Sequence, residues 1–231
     1  MTLTLIRHPH IDFASQRCVG QTDVDLSLGG KLSLKSIAGE TCKLFPDFVI
    51  SSDLKRCRLL AEEIAARLHI RPVFDPAWRE IDFGFWENRT WEAIRLEETE
   101  AFEEWVADFV TTVPPGGESF LQLQKRILSA IDTILSDHTE EMAQTSSGAS
   151  NGLYSHTSPL ISRTVAPKRA PAVLVVTHAG VMRAACAAFA NLPLSQAFDY
   201  KIPYGGMLHL SRRGNVSAIE STALFSPERT A

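Results

Sequence analysis

Val173-Leu174-Val175-Val176-Thr177-His178-Ala179-Gly180 is the stretch whose reading decides the fold. Its first five residues are apolar or β-branched and lack polar alternation, which describes a strand buried on both faces. Polarity changes at His178, and Ala179-Gly180 opens an alanine-rich helical stretch reaching about Ala190. A buried strand, a sharp turn and a helix make up one unit of a parallel α/β sheet. Such sheets hold their ligands beyond the carboxyl ends of the strands. His178 stands at such an end.

Working outward, the same order recurs. Thr2 to Ile6 alternates and reads as a short strand ending at Arg7-His8. A polar, glycine-containing loop over 14–25 follows, and Ser27 offers an N-cap to a helix through about Leu44. Phe48 to Ser52 is a second buried strand, and Asp53 is read as the cap of the next helix. That helix carries Leu54, Cys57, Leu60, Ala61, Ile64 and Leu68 on one apolar stripe.

Pro72 to Phe74 is a short strand, and an aromatic loop runs from Trp78 to Trp91. A glutamate-rich helix is predicted from about Trp91 to Val110. Pro114-Pro115-Gly116-Gly117 breaks the chain before a strong helix marked by Phe120, Leu123, Ile127, Ile131, Ile134 and Leu135. From about 140 to 171 periodicity vanishes, and this segment reads as an insertion, either disordered or a long surface loop. Two final strands, Met207–Ser211 and Ser217–Glu220, flank a hairpin signal at Gly214-Asn215. The order β-α-β-α-β-α-α-β-α-β-β predicts one domain over residues 1–231. Its fold is an α/β three-layer sandwich, a mostly parallel central sheet flanked by helices.

Composition narrows the function classes. The 231 residues are 45% hydrophobic and 22% charged, enough to bury a full core. A net charge of -4 without a Lys/Arg block argues against nucleic acid or a membrane surface as partner. No apolar run approaches the roughly 20 residues of a membrane span, and the first residues lack the long apolar region of a signal peptide. Cys18, Cys42, Cys57 and Cys186 are scattered, as expected of reduced thiols in a cytoplasmic protein.

The strand ends carry the chemistry. His8 and His178 each close a strand, and Arg7 places a permanently charged planar fork beside the first. Lys55, Arg56 and Arg58 lie in the first turns of a helix, where the dipole disfavours cations. A phosphate bound there reconciles them, and Arg56 is the best ligand of the three. Arginines around His8 keep its imidazole neutral, so a ring nitrogen can attack phosphorus. Glu80 is best placed by context to protonate the leaving oxygen, with Asp82 second.

Five segments in order carry a resemblance: Arg7-His8, Gly20-Gln21-Thr22-Asp23 with Leu26-Ser27, Ser51 to Cys57, Glu80 with Phe83-Gly84, and Val176 to Gly180. Together they resemble the histidine phosphatase (phosphoglycerate-mutase-like) superfamily. Phe83 to Trp91 and Pro114 to Ser119 are most similar to its alpha-ribazole phosphatase branch, which serves cobalamin biosynthesis. The resemblance implies a phosphomonoester hydrolase with His8 as nucleophile, Glu80 as proton donor and His178 as the second catalytic histidine. Arg7, Arg56, Gln21 and Thr22 would bind the phosphate of a small-molecule ester. It implies no metal and no cofactor; assembly as a homodimer stays open. The chain departs from the family pattern at Pro9, Ile11, Ala14 and Asn88.

Three other readings use the same residues. A broad-specificity or sugar-phosphate phosphatase, or a phosphoglycerate mutase, would share the same pocket. A metal-dependent hydrolase would use His8, His10 and Asp12. A binding module would use Trp86, Trp91 and the 140–171 insertion as a contact surface while losing a catalytic residue, and none is lost.

Overall fold

The computed structural model describes residues 1–11, 16–146, 170–212 and 219–223. Its centre is a six-stranded sheet in the order β3-β2-β4-β1-β5-β6. These strands are β1 (Thr2–Arg7), β2 (Phe48–Ser51), β3 (Val73–Phe74), β4 (Ala172–Thr177), β5 (Met207–Arg212) and β6 (Ile219–Ala223). The first four run parallel, while β5 pairs antiparallel with β1 and with β6. The sandwich is therefore a mixed, mainly parallel one.

Side-chain alternation divides the core into two layers. Leu3, Leu5, Val173 and Val175 face one side, where they pack with helices α5 (Phe120–Ser146) and α6 (Ala179–Phe189). Ile6, Val49, Leu174 and Val176 face the other, against α1 (Leu28–Cys42) and α2 (Lys55–Leu68). The helix after β1 thus covers one face and the helix after β4 the other. Adjacent strands whose chains leave in opposite directions open a crevice at their carboxyl ends. His8 and His178 stand at that crevice, because β1 and β4 are paired in register from Thr2 with Ala172 to Arg7 with Thr177.

The structure differs from the sequence reading at several joints. Ser27 does cap α1, its side chain accepting from Gly30 N. The cap of α2 is Leu54, with no side-chain bond, and not Asp53. Asp53 is drawn away by Arg79, whose Nε and Nη2 donate to its carboxylate at 2.6 and 2.5 Å. The predicted helix from Trp91 to Val110 is two, α3 (Trp91–Glu97) and α4 (Thr99–Ala107), broken at Glu98 with φ -132 and ψ 47. Glu98 there accepts from Trp86 Nε1 and from Arg89. Helix α5 continues to Ser146, past the point where periodicity fades, and the rest of the 140–171 segment lies outside the described residues until 170. The hairpin strands pair as expected, although Gly214-Asn215 lies outside the described residues. Among the described residues no helix is long and apolar enough to cross a membrane.

Candidate active site

The crevice gathers an unusual set of buried polar groups: His8, Ser51, Ser52, Arg56, Thr177 and His178 are all nearly inaccessible. Buried polar groups demand partners, so each can be followed to what holds it.

His8 follows the last residue of β1, and its backbone N–H still donates to Thr177 O at 3.0 Å. Its Nδ1 lies 2.7 Å from Pro9 O and donates to it, which leaves Nε2 as the free lone pair. Pro9 thus keeps the group that this contact requires, a carbonyl, and its missing N–H is not used. The ring of His178 stands 5.2 Å away at 62°. Burial pushes the pKa of His8 well below the ordinary histidine value, and the charges of Arg56 and Arg7 push it further. Burial outranks the arginines, whose charges alone the sequence suggests as the cause.

Arg56, almost fully buried, is braced on three sides. Its Nε donates to His178 Nδ1 at 3.2 Å, Nη1 to Thr22 O at 2.7 Å and Nη2 to Gly20 O at 2.5 Å. A guanidinium has five N–H donors, so two remain for an oxyanion. His178, with Nδ1 accepting, holds its proton on Nε2 and points it at Ser52 Oγ, 2.9 Å away. Its pKa also lies well below the ordinary value, first through burial and then through Arg56, His8 and Arg7.

Arg7 is held differently. Nη1 donates to Ile202 O at 2.6 Å, and the guanidinium lies 3.7 Å over the ring of Tyr204. Its Nε is buried with no hydrogen-bond partner. That orphaned donor, on a cation whose pKa burial has lowered, is suited to an anion.

Glu80 sits across the crevice on the loop after a short 3-10 turn, Pro76–Trp78. Gly180 N, in the first turn of α6, donates to Glu80 Oε2 at 3.0 Å. A Cβ on residue 180 would overlap Glu80 Oε1, which explains the glycine after His178-Ala179. Arg126 on α5 fixes the loop from behind, its guanidinium donating to the carbonyls of Ala77, Arg79 and Glu80 and to Glu118. Asp82 is a turn former, accepting from Gly84 N at 2.8 Å.

Gln21 and Thr22 are near Arg56 but otherwise engaged. Gln21 Nε2 donates to Glu80 O at 3.3 Å. The N–H groups of Gly20, Gln21 and Thr22, together with the Thr22 hydroxyl, converge on the carboxylate of Glu87. Asn88, the next residue, has φ 63, a left-handed conformation that asparagine tolerates and glycine adopts freely. His10 turns outward, to Ser27 Oγ at 2.9 Å and the edge of Tyr204. Asp12 and Ala14 lie outside the described residues.

Four residues here were not picked out as functional from sequence: Ser52, Glu87, Arg126 and Tyr204. Ser52 and Glu87 lie inside quoted motifs and could have been flagged by their neighbours. Arg126 is a cation on the buried stripe of α5, a sign of a partner within the protein. Tyr204 precedes Gly205-Gly206, and only the fold brings it to Arg7.

The chain is similar to known proteins in family and fold. The family model of the histidine phosphatase superfamily (branch 1) matches residues 3–157 and 152–223. Phosphoserine phosphatase 1 of Hydrogenobacter thermophilus is 26% identical over 217 residues, 93% of this chain and 89% of that protein. A mycobacterial glucosyl-3-phosphoglycerate phosphatase superposes with a TM-score of 0.74 at 22% identity, covering 99% of each chain. The alpha-ribazole phosphatase of Shigella flexneri superposes with a TM-score of 0.76 at 20% identity, covering 100% of this chain and 99% of its own.

Proposed function

Because the chain belongs to the histidine phosphatase superfamily, we propose that it hydrolyses small phosphate monoesters through a covalent intermediate on His8. One observation carries this reading: His8 is buried, kept neutral, and pinned through Nδ1 to Pro9 O, so that Nε2 is the available nucleophile.

The lone pair of Nε2 attacks phosphorus and a P–N bond forms as the ester P–O bond breaks. The leaving oxygen takes a proton from the Glu80 carboxyl, which Gly180 N orients. The Glu80 carboxylate then takes a proton from water. The oxygen of that water attacks phosphorus, breaking the P–N bond and releasing inorganic phosphate. Arg7 Nε and the two unused N–H groups of Arg56 neutralise the charge on the equatorial oxygens. His178 holds Arg56 and adds its own donor by turning from Ser52 to the phosphoryl group. Gln21 and Thr22 serve this pocket at one remove, Thr22 through the carbonyl that steadies Arg56.

At finer grain, alpha-ribazole 5′-phosphate is one candidate substrate, supported by the Phe83–Trp91 and Pro114–Ser119 segments and by the likeness to the Shigella protein. The decisive experiment traps the intermediate. Brief incubation with a phosphate ester labelled in its phosphoryl group is expected to leave acid-labile label on the wild-type protein and none on His8→Ala. Turnover without such an intermediate, or retained activity in His8→Ala, overturns the mechanism.

A further inference from the structure

The loop that carries Glu80 is fastened more firmly than the hydrolysis scheme accounts for. Surface loops usually give their carbonyls to water or to neighbouring backbone. Here four consecutive carbonyls are taken by side chains. Arg126 Nη1 donates to Ala77 O at 2.7 Å and to Arg79 O at 3.1 Å, and Nη2 to Glu80 O at 3.4 Å. Thr177 Oγ1, one residue before His178, donates to Trp78 O at 2.9 Å. Gln21 Nε2 adds a second bond to Glu80 O at 3.3 Å.

Glu118 closes the frame from the other side. Its Oε1 accepts from Asp82 N at 3.1 Å and from Arg126 Nη2 at 2.5 Å, and its Oε2 accepts from Arg126 Nε at 3.3 Å. The backbone N–H of Glu118 returns a bond to Asp82 O at 2.9 Å. One ion pair thus holds carbonyls up to the acid and an N–H beyond it. Helix α5 presents Arg126 rigidly, because Leu123 and Ile127 beside it are fully buried.

A guanidinium has five N–H donors, and in Arg126 each meets an acceptor within the protein. Arg56, by contrast, keeps two for an oxyanion. Arg126 therefore has no donor to offer a substrate, and its charge is met by Glu118. What it sets is the path of the backbone on both sides of Glu80, whose carboxyl is fixed in turn by Gly180 N. Proton donation is sensitive to that path, since a displacement of about 1 Å can cost about 100-fold in rate.

We propose that Arg126 and Glu118 are positioning residues, which hold Glu80 against the leaving oxygen and bear on proton donation rather than on phosphate recognition. The proposal rests on the reading of Glu80 as the acid. The pair then matters for esters whose leaving oxygen needs a proton, and little for those whose leaving group departs as a stable anion.

The test measures kcat/KM, which covers the step that expels the leaving group, on glycerol 2-phosphate and p-nitrophenyl phosphate, together with inhibition by inorganic phosphate. The variants are Arg126→Met, Arg126→Lys and Glu118→Gln, each alone and combined with Glu80→Gln. Arg126→Met should lose about 10- to 100-fold on glycerol 2-phosphate and less than about threefold on p-nitrophenyl phosphate, with phosphate inhibition changed by less than about twofold. Arg126→Lys keeps the charge, whose field reaches His178, but not the fork. Glu118→Gln keeps an acceptor for Asp82 N but not the ion pair. Both should lose less than Arg126→Met, with the same selectivity, and they carry the comparison if Arg126→Met does not fold. In the Glu80→Gln background the further loss on glycerol 2-phosphate should vanish, because a residue that acts only through Glu80 has nothing left to place. Equal losses on the two esters, or losses that persist beside Glu80→Gln, overturn the positioning role. A selective loss in Glu80→Gln beside unselective losses in the frame variants keeps the acid and removes the frame. An unselective loss in Glu80→Gln removes the acid itself, and the positioning role with it.

Discussion

Arg56 and Arg7 face the same pocket, but the protein fixes them to very different degrees. Arg56 is bonded through all three of its nitrogens, to His178 and to two backbone carbonyls, deep inside the fold. Arg7 is held through Nη1 by Ile202 O, lies against Tyr204, which is 37% exposed, and keeps an orphaned Nε. In the proposed pocket one half is held by the protein itself, and the other keeps a donor for the phosphate. Electrostatic preorganisation explains the first half, since donors fixed in advance need no reorientation during the reaction. In the proposed mechanism the second half supplies the strongest pull on the anion, because an unmet buried donor is what binding repairs.

The largest effect should come from Glu80, the proposed acid, held by Gly180 N. Glu80→Gln keeps the shape but not the proton, and kcat on an alkyl phosphate should fall about 10²- to 10⁴-fold. Turnover of p-nitrophenyl phosphate, whose leaving group needs little protonation, should fall far less; equal losses on both esters would remove Glu80 as the acid. Next, the arginines should separate by stability. Arg56→Met leaves His178 and two backbone carbonyls without their donor and should cost about 3–5 kcal/mol in urea unfolding. Arg7→Met should change unfolding by less than about 1 kcal/mol while weakening vanadate or phosphate inhibition. Similar unfolding losses in the two variants would break the comparison.

Acidity offers a third probe. His8 and His178 stay neutral in the folded chain, whereas an unfolded histidine takes up its proton near pH 6.5. Stability should therefore be level above that value and fall as the pH drops below it. The slope is about 1.4 kcal/mol per pH unit for each histidine, flatter in His8→Ala. The smallest effect belongs to Tyr204: replacing the ring by leucine should raise KM about three- to tenfold through Arg7, in line with a cation–π contact of about 1 kcal/mol. Tyr204→Phe, which keeps the ring, should stay close to wild type.

What could be read from sequence followed from local rules. Val173–Thr177 and Phe48–Ser51 declare themselves by hydrophobicity, and a strand's end is where its hydrophobicity stops, so Arg7, His8 and His178 could be placed without a structure. Arg56 was legible because it violates the helix dipole. The bracing was not legible, because it depends on distant pairs. Asp53 has every local feature of an N-cap and is taken by Arg79 across 26 residues; Tyr204 reaches Arg7 from the far end of the chain. The break at Glu98 is likewise set by Trp86 and Arg89 rather than by helix propensity.

The contact between Glu87 and the loop over 20–22 has one more consequence. The carbonyl of Gly20 and the N–H of Gln21 are two ends of one peptide group, and its planar trans geometry points them in opposite directions. Arg56 takes the carbonyl end and Glu87 the N–H end. The pair is thus an ion pair with a peptide unit inserted between its members. The carboxylate polarises the peptide and deepens the negative end that the arginine feels, yet it is never close enough to neutralise it. Arg56 is stabilised in the interior as though it had a counter-ion, and in the proposed mechanism it still meets the phosphate with its charge undivided.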